Sequence, residues 1–222
     1  MTETSNTTFV CCVEAGLLEP MTVRLLESLR RHGGRFANSR FVACQPRFGP
    51  PLSRTTLDRI RELGGEHRWL WRPRKLDWYH YLNKAIALVD IDPSIKTDWV
   101  TFLDSDMLIA REPNLLVADG ADFIACAPDN GIVGSTGLGH RMDPAWRSII
   151  QNLGLSTADV PMLREHDTGR DIRFYFNSGL FSYRKSTGFA NEYKKAVEQV
   201  LATNLGFPEF FEHFTDQVVL GL

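Results

Sequence analysis

No run of apolar residues in this 222-residue sequence approaches the length that spans a bilayer. The opening residues, MTETSNTT, are polar and lack the basic-then-apolar order of a secretory leader. The expectation is a cytoplasmic protein with no transmembrane segment and, at most, a peripheral membrane contact. Cysteine is scarce. Cys11, Cys12, Cys44 and Cys126 each lie in an apolar run, without CxxC spacing or nearby histidines that would suggest zinc. They read as small buried residues in a reducing compartment. An excess of one charge is also missing: 25 Lys/Arg against 27 Asp/Glu leave a net −2 without blocks, so a nucleic acid is not the expected partner. Internal repeats and low-complexity tracts are absent too.

What is present alternates. Thr8–Val13, Ser39–Cys44 and Trp99–Leu103 are short, continuously apolar, β-rich runs, and His67–Trp71 is a further strand candidate. Helical spacing connects them at Leu18–Arg31, Ser53–Leu63 and Tyr79–Val89, with Ser53 placed as an N-cap and glycine pairs as stops. Strands apolar throughout, separated by helices, predict an α/β fold with a mostly parallel sheet covered on both faces. The second half predicts strands at Asp122–Ala127 and Ile172–Tyr183, helices at Pro144–Leu153, Thr187–Asn204 and Thr215–Leu220, and a Gly-rich loop over 128–144. The expected organisation is one domain over 1–222, with a nucleotide-binding half (1–110) and a sugar or acceptor half (111–222) sharing a core.

The sharpest local signal is WVTFLDSDMLIARE, residues 99–112. A buried strand runs into Asp104-Ser105-Asp106 at its carboxyl end, where open α/β sheets bind ligands. If the chain stays extended there, i and i+2 side chains point the same way and both carboxylates leave on one side. Such a pair repels itself unless a cation compensates, and Mn²⁺ or Mg²⁺ suits an all-oxygen donor set. A solvated turn after a strand accounts for the same residues about equally well. Haloacid-dehalogenase-like phosphatases also carry D-x-D after a strand. Their motif opens the chain, and Thr or Val stands where this sequence has Leu108.

Three segments in order carry a family resemblance. FLDSDMLI is similar to the D-x-D motif of glycosyltransferases with the GT-A fold, a Rossmann-like three-layer α/β/α sandwich. FYFNSGLF (174–181) and FTDQVVL (214–220) resemble the FNxG and DQ segments of their retaining family 8, which includes glycogenin and bacterial galactosyltransferases. The resemblance implies a metal-dependent transferase that moves a hexose from a nucleoside-diphosphate sugar, UDP-sugar favoured, to an acceptor: a glycan, a lipid-linked saccharide or a protein. It implies that Asp104 and Asp106 hold Mn²⁺ or Mg²⁺ on the donor diphosphate, with Ser105 between them. Asn177, Ser178 and Gly179 would lie against the donor sugar, and Asp216 and Gln217 near the reacting carbon. Lys84 would meet the donor, and Glu14, Ala15 and Gly16 the nucleobase and ribose.

The resembled enzymes continue beyond the DQ segment and take a third metal ligand, a histidine, from there. In this sequence the candidates are His213, His140 or His166, or else a C-terminal segment lost by truncation, or diphosphate and water. GIVGSTGLGH (131–140) lacks the Gly-Lys-Ser/Thr ending of a phosphate loop and is expected to be a mobile loop over the acceptor side or, about equally, an uneventful loop. Trp69, Trp71 and Trp78 are candidates for base stacking, with core packing the more ordinary role, and the basic stretch RWLWRPRK (68–75) is expected to be solvated. Two further activities compete with transfer: a sugar-nucleotide-binding domain with weak turnover, and an Asp-dependent phosphatase or nucleotidyltransferase.

Overall fold

The computed structural model describes residues 6–70, 76, 79–128, 133–203 and 213–222. Trp71, Trp78, residues 71–75 of the basic stretch, Gly131 and Asn204 lie outside them. Two compact units are present: Met1–Ile124 with Gly179–Ala190, and Ala125–Ser178 with Asn191–Leu222.

In the first unit, β1 (Thr7–Cys12) pairs in parallel with β2 (Arg40–Gln45) and β4 (Trp99–Leu103), and β2 pairs in parallel with β3 (Glu66–Trp69). The strand β8 (Asn177–Arg184) runs antiparallel to β4 and is followed in the sheet by β5 (Phe123–Cys126), giving the order β3-β2-β1-β4-β8-β5. Why β1 is apolar at successive positions is visible in its packing. Phe9, Cys11 and Val13 join a core cluster with Leu25, Leu26 and Leu29 of α1 (Leu18–His32) and Ile60 of α2 (Arg54–Glu62). Alternation then sends Thr8 and Val10 to the opposite face, and both are buried as well.

Helix ends follow their local chemistry. Ser53 Oγ accepts the Thr56 N–H at 3.2 Å, capping α2 as the sequence predicts. At the other end Gly64 adopts φ +68°, and the Gly64 and Gly65 N–H groups return to Arg61 O (2.9 Å) and Ile60 O (2.8 Å), a Schellman closure. Arg30 of α1 crosses below, donating to the carbonyls of Leu63, Ala37, Ser39 and Gly64. The next helix, α3 (Leu82–Ile91), packs on β1.

The second unit contains α4 (Asp143–Asn152), whose Trp146 is fully buried and donates from Nε1 to Val133 O at 2.7 Å. A hairpin of β6 (Met162–Arg164) and β7 (Asp171–Arg173) follows, antiparallel and anchored by the buried Arg173–Asp143 ion pair at 2.9 Å. The predicted strand over Ile172–Tyr183 is therefore two strands, β7 and β8, separated by Phe174-Tyr175-Phe176. The predicted helix from Thr187 is likewise divided: a 3-10 turn at Lys185–Thr187 ends on Gly188 at φ +71°, and α5 then spans Phe189–Leu201. Last comes α6 (Thr215–Leu220). No helix among the described residues is long and apolar enough to cross a membrane.

Candidate active site

In the first unit, β4 ends at Leu103 and the chain turns at once, with the Met107 N–H donating to Asp104 O at 3.1 Å. Asp104, Ser105 and Asp106 thus occupy a turn rather than extended chain. Strand alternation no longer aims both carboxylates the same way. Ser105 is buried, and Asp106 is exposed with no hydrogen bond or ion pair among the described residues. The chain re-enters the core through Met107 and Ile109, leaving Leu108 63% exposed between them.

Asp104 is fixed from two sides. Its N–H donates to Gly179 O at 2.8 Å, continuing the β4–β8 ladder one step past the Leu103–Leu180 pair. Strand pairing thereby brings the D-S-D segment and Gly179 together, although 75 residues separate them in sequence. Asn177, Ser178 and Gly179 are the first residues of β8. From α3, Lys84 places Nζ 3.3 Å from both Oδ1 and Oδ2 of Asp104. The lysine side chain is 9% exposed while that of Asp104 is 39% exposed, so the cation is the more deeply committed partner. A buried ammonium needs such a counter-charge.

By donor type the carboxylates of Asp104 and Asp106 suit Mn²⁺ or Mg²⁺, although the turn no longer lets strand alternation aim them together. No group of three His, Cys, Asp or Glu side chains gathers for a metal among the described residues. Each candidate histidine has a local environment instead. His140 Nδ1 accepts the Met142 N–H at 3.3 Å, the His213 ring lies 6.2 Å from that of Phe214, and His166 is 93% exposed beside Asp167.

The loop after β1 is built from contacts that sequence reading missed. Glu14 Oε1 accepts from Asn83 Nδ2 (3.0 Å) and from Arg47 Nη1 (3.3 Å). Beyond Ala15, Gly16 takes φ +103°, and its N–H donates to Glu19 Oε1 at 3.1 Å. Glu19 Oε2 accepts the Ser53 N–H at 2.8 Å, tying this loop to the start of α2. No sequence signal marks these partners, which lie 69, 33 and 34 positions apart along the chain.

Burial opposes ionisation of Glu19. Donors from Ser53, Thr56 and the Gly16 and Ser53 backbone outweigh it and hold the carboxyl at about 2. Because the folded value lies below the unfolded one, Glu19 stabilises the fold fully above about pH 4.5, and this is lost as pH falls toward about 2. Glu19→Gln is expected to cost on the order of 2 kcal/mol at neutral pH. It should also flatten the acid limb of a Tm-against-pH curve over that window. An unchanged acid limb would show that Glu19 does not link the loop to α2.

In the second unit, α6 presents Asp216, which is 1% exposed. Ser178 Oγ donates to Asp216 Oδ2 at 2.5 Å, and Tyr193 OH donates to the Asp216 main-chain oxygen at 3.2 Å. The Phe176 N–H reaches Gln217 O at 3.4 Å. A Cβ on Gly221 would sit 2.6 Å from Phe174 O and 2.7 Å from Tyr175 Cα, so only glycine allows the end of α6 to rest on that backbone. Phe174 and Phe176 pack edge to face, ring centres 4.3 Å apart.

Solved structures share this architecture. The galactosyltransferase LgtC, in complex with donor and acceptor sugar analogues, is similar with a TM-score of 0.51 at 14% identity, over 96% of this chain and 69% of that one. Core-mannan synthase A (CmsA/Ktr4) from Aspergillus fumigatus, in its Mn/GDP form, gives 0.57 at 14% identity, over 98% and 68%. The apo bifunctional glycosyltransferase WbbM gives 0.52 at 14%, over 93% of this chain and 38% of its own. At such identity the likeness is one of fold, a GT-A-type α/β domain with a mostly parallel central sheet. No curated protein matches the chain. The model of the Rhodobacterales glycosyltransferase domain matches residues 9–222, nearly the whole sequence. The protein belongs to that family of glycosyltransferase domains and is, accordingly, a transferase.

Proposed function

We propose that this domain moves a hexose from a nucleoside-diphosphate sugar, UDP-sugar favoured, to a saccharide, lipid-linked or protein acceptor, with retention at the transferred carbon. The observation that carries the reading is Asp104, locked at the end of β4 by Gly179 O and faced at 3.3 Å by Lys84 Nζ. A carboxylate and an ammonium held together at a sheet's carboxyl edge suit a diphosphate whose charge grows as the sugar leaves.

Asp104 and Asp106 would hold Mn²⁺ or Mg²⁺, which when bound supplies Lewis-acid stabilisation to the departing diphosphate. Lys84 offers a second positive charge to that group while keeping Asp104 in place. Glu14, Ala15 and Gly16 are assigned to the nucleoside, through a loop that Asn83, Arg47 and Glu19 hold rigid. Asn177 and Gly179 are assigned to the sugar. Asp216 and Gln217 are assigned to oxygens presented near an oxocarbenium-like carbon. In support, LgtC is solved with donor and acceptor sugar analogues and CmsA with Mn and GDP.

A second reading, a donor-binding domain with weak turnover, is favoured by Lys84, whose ammonium faces both oxygens of Asp104 at 3.3 Å. A thermal-shift panel of UDP, GDP and ADP with and without Mn²⁺, followed by a UDP-release assay on UDP-hexoses, separates the two. A Mn²⁺-dependent Tm rise of several degrees with one diphosphate, plus turnover, is expected for the transferase. Tight binding without released UDP would favour the binding domain, and no shift with any diphosphate would sink both.

A further inference from the structure

The end of the sheet opposite the D-S-D turn carries charge that the transferase reading does not use. Trp99 and Arg184 are the paired residues there, at the amino end of β4 and the carboxyl end of β8. With β4 five residues long, that pair lies roughly 16 Å from the turn. Beside it a cleft of about 440 Å³ opens between the segments 95–98 and 184–186. Lys96, Arg184 and Lys185 line it against one carboxylate, Asp98, an excess of two positive charges. We propose that this cleft binds a phosphate group, carried by a small soluble ligand or by an anionic lipid headgroup, as a site separate from that of the donor.

The way the cations are held is the reason. Lys185 Nζ donates to Ile95 O at 2.6 Å, and its main-chain N–H donates to Asp98 O at 2.8 Å. A carbonyl fixes the ammonium without cancelling its charge, and two of its three protons are left for a ligand. The Arg184 guanidinium lies over Trp99, its carbon 4.8 Å from the ring centre, and Nε donates to Ala121 O at 2.9 Å. Asp122 meets Nε at 3.4 Å, but it is 76% exposed, so water screens that pair. The two Nη groups donate no hydrogen bond among the described residues. Lys96 is exposed and has neither a hydrogen bond nor an ion pair among them. Asp98 is engaged by Asn6, whose Nδ2 donates to Oδ2 and whose Oδ1 accepts the Asp98 N–H at 2.9 Å.

A prepositioned guanidinium fork beside two ammonium groups matches a compact anion with several acceptor oxygens, and phosphate is such an anion. The Ser186 hydroxyl, exposed at the same cleft, adds a further donor.

The test measures inorganic phosphate and pyrophosphate binding to the full chain by calorimetry, in EDTA at constant ionic strength. Saturable binding is expected. Lys185→Met keeps the aliphatic stem and should weaken it about tenfold or more, the range for a hydrogen bond to a charged group. Lys96→Ala, at an exposed position, should weaken it about two- to fivefold. Asp98→Asn removes the one lining carboxylate and should tighten binding by about the same factor. Lys84→Met, at the other end of the sheet, should leave the affinity within about twofold. Should Lys185→Met fail to fold, Lys96→Ala and Asp98→Asn carry the test with opposite signs. Cosedimentation with vesicles of phosphatidylcholine alone, and of equal parts phosphatidylcholine and phosphatidylglycerol, identifies the source. Binding to the anionic vesicles that Lys185→Met loses assigns a headgroup, and phosphate binding without vesicle binding assigns a soluble ligand.

The proposal is overturned if neither anion binds saturably and no vesicle binding depends on Lys185. It is also overturned if Lys185→Met and Lys96→Ala both leave the affinity unchanged, or if Asp98→Asn weakens it. Loss in Lys84→Met with none in Lys185→Met would place the phosphate at the donor end of the sheet and overturn it as well. None of these readings uses turnover, so the transferase reading stands or falls separately.

Discussion

Asp104→Ala is expected to lower UDP-hexose turnover about 100- to 1000-fold, the usual loss when a preorganised electrostatic group at a reacting oxyanion is removed. The Mn²⁺-dependent part of the Tm rise with UDP should vanish with it. The same substitution has a stability consequence that Asp106→Ala does not share. Lys84, with a side chain 9% exposed, loses the carboxylate that meets it at 3.3 Å, whereas Asp106 is exposed and meets no described partner. Breaking a buried ion pair by removing one member is strongly destabilising, but the 39% exposure of Asp104 means that water screens this pair. A cost of about 1–2 kcal/mol is therefore expected, read as a Tm lower by roughly 3–6 °C.

Lys84→Met in the Asp104→Ala background removes the charge that Asp104 faced and should recover part of that Tm without recovering turnover. Asp106→Ala should lose the Mn²⁺ effect at nearly unchanged Tm. If Asp104→Ala keeps both the Mn²⁺-dependent shift and turnover, the diphosphate assignment at the end of β4 is wrong. If the double variant stays as unstable as the single one, the Lys84 contact is not what fixes Asp104.

The strands of the first unit were legible because a strand buried on both faces has no polar position to blur it. TFVCCV, FVAC and WVTFL fall within one or two residues of β1, β2 and β4 for this reason. The β6–β7 hairpin was not legible. It has three-residue strands with Met162 46% exposed, and its fixed point is the Arg173–Asp143 pair, which no local pattern announces. Aromatic density misled in FYFNSGLF, where a single strand was expected to run through: Phe174 and Phe176 occupy the break between β7 and β8, and Gly179 O of β8 completes the ladder with Asp104.

Position along the chain located the Asp pair at the strand end but did not give its geometry, since one i to i+3 hydrogen bond replaces alternation with a turn. The partners that hold the candidate site rigid are illegible for a common reason. Ser178 and Asp216, Asn83 and Glu14, and Lys84 and Asp104 meet only after the strands have paired and the helices have docked. Single-sequence patterns record which face a residue needs, not which distant residue it will meet there.

Gly221→Ala is expected to be among the most damaging single-methyl additions in the second unit. The new Cβ would lie 2.6 Å from Phe174 O and 2.7 Å from Tyr175 Cα, both backbone atoms that cannot swing aside like a side-chain tip. The backbone torsions of Gly221, φ −93° and ψ −3°, are ordinary for any residue, so the penalty is steric and not conformational. Relief requires the end of α6 to move away from the Phe174–Phe176 break, and overpacking of this kind costs about 1–3 kcal/mol.

Movement of α6 also shifts Asp216, whose 2.5 Å bond to Ser178 tolerates little displacement, so turnover should fall further than the stability loss alone explains. Gly49→Ala, which meets nothing within 4 Å, is the matched control and should leave Tm within about 1 °C. The expected reading is a Tm for Gly221→Ala lower by roughly 3–9 °C with a tenfold or greater loss of kcat at temperatures where the protein remains folded. A Tm and kcat equal to those of Gly49→Ala would mean that α6 does not rest on the Phe174–Tyr175 backbone.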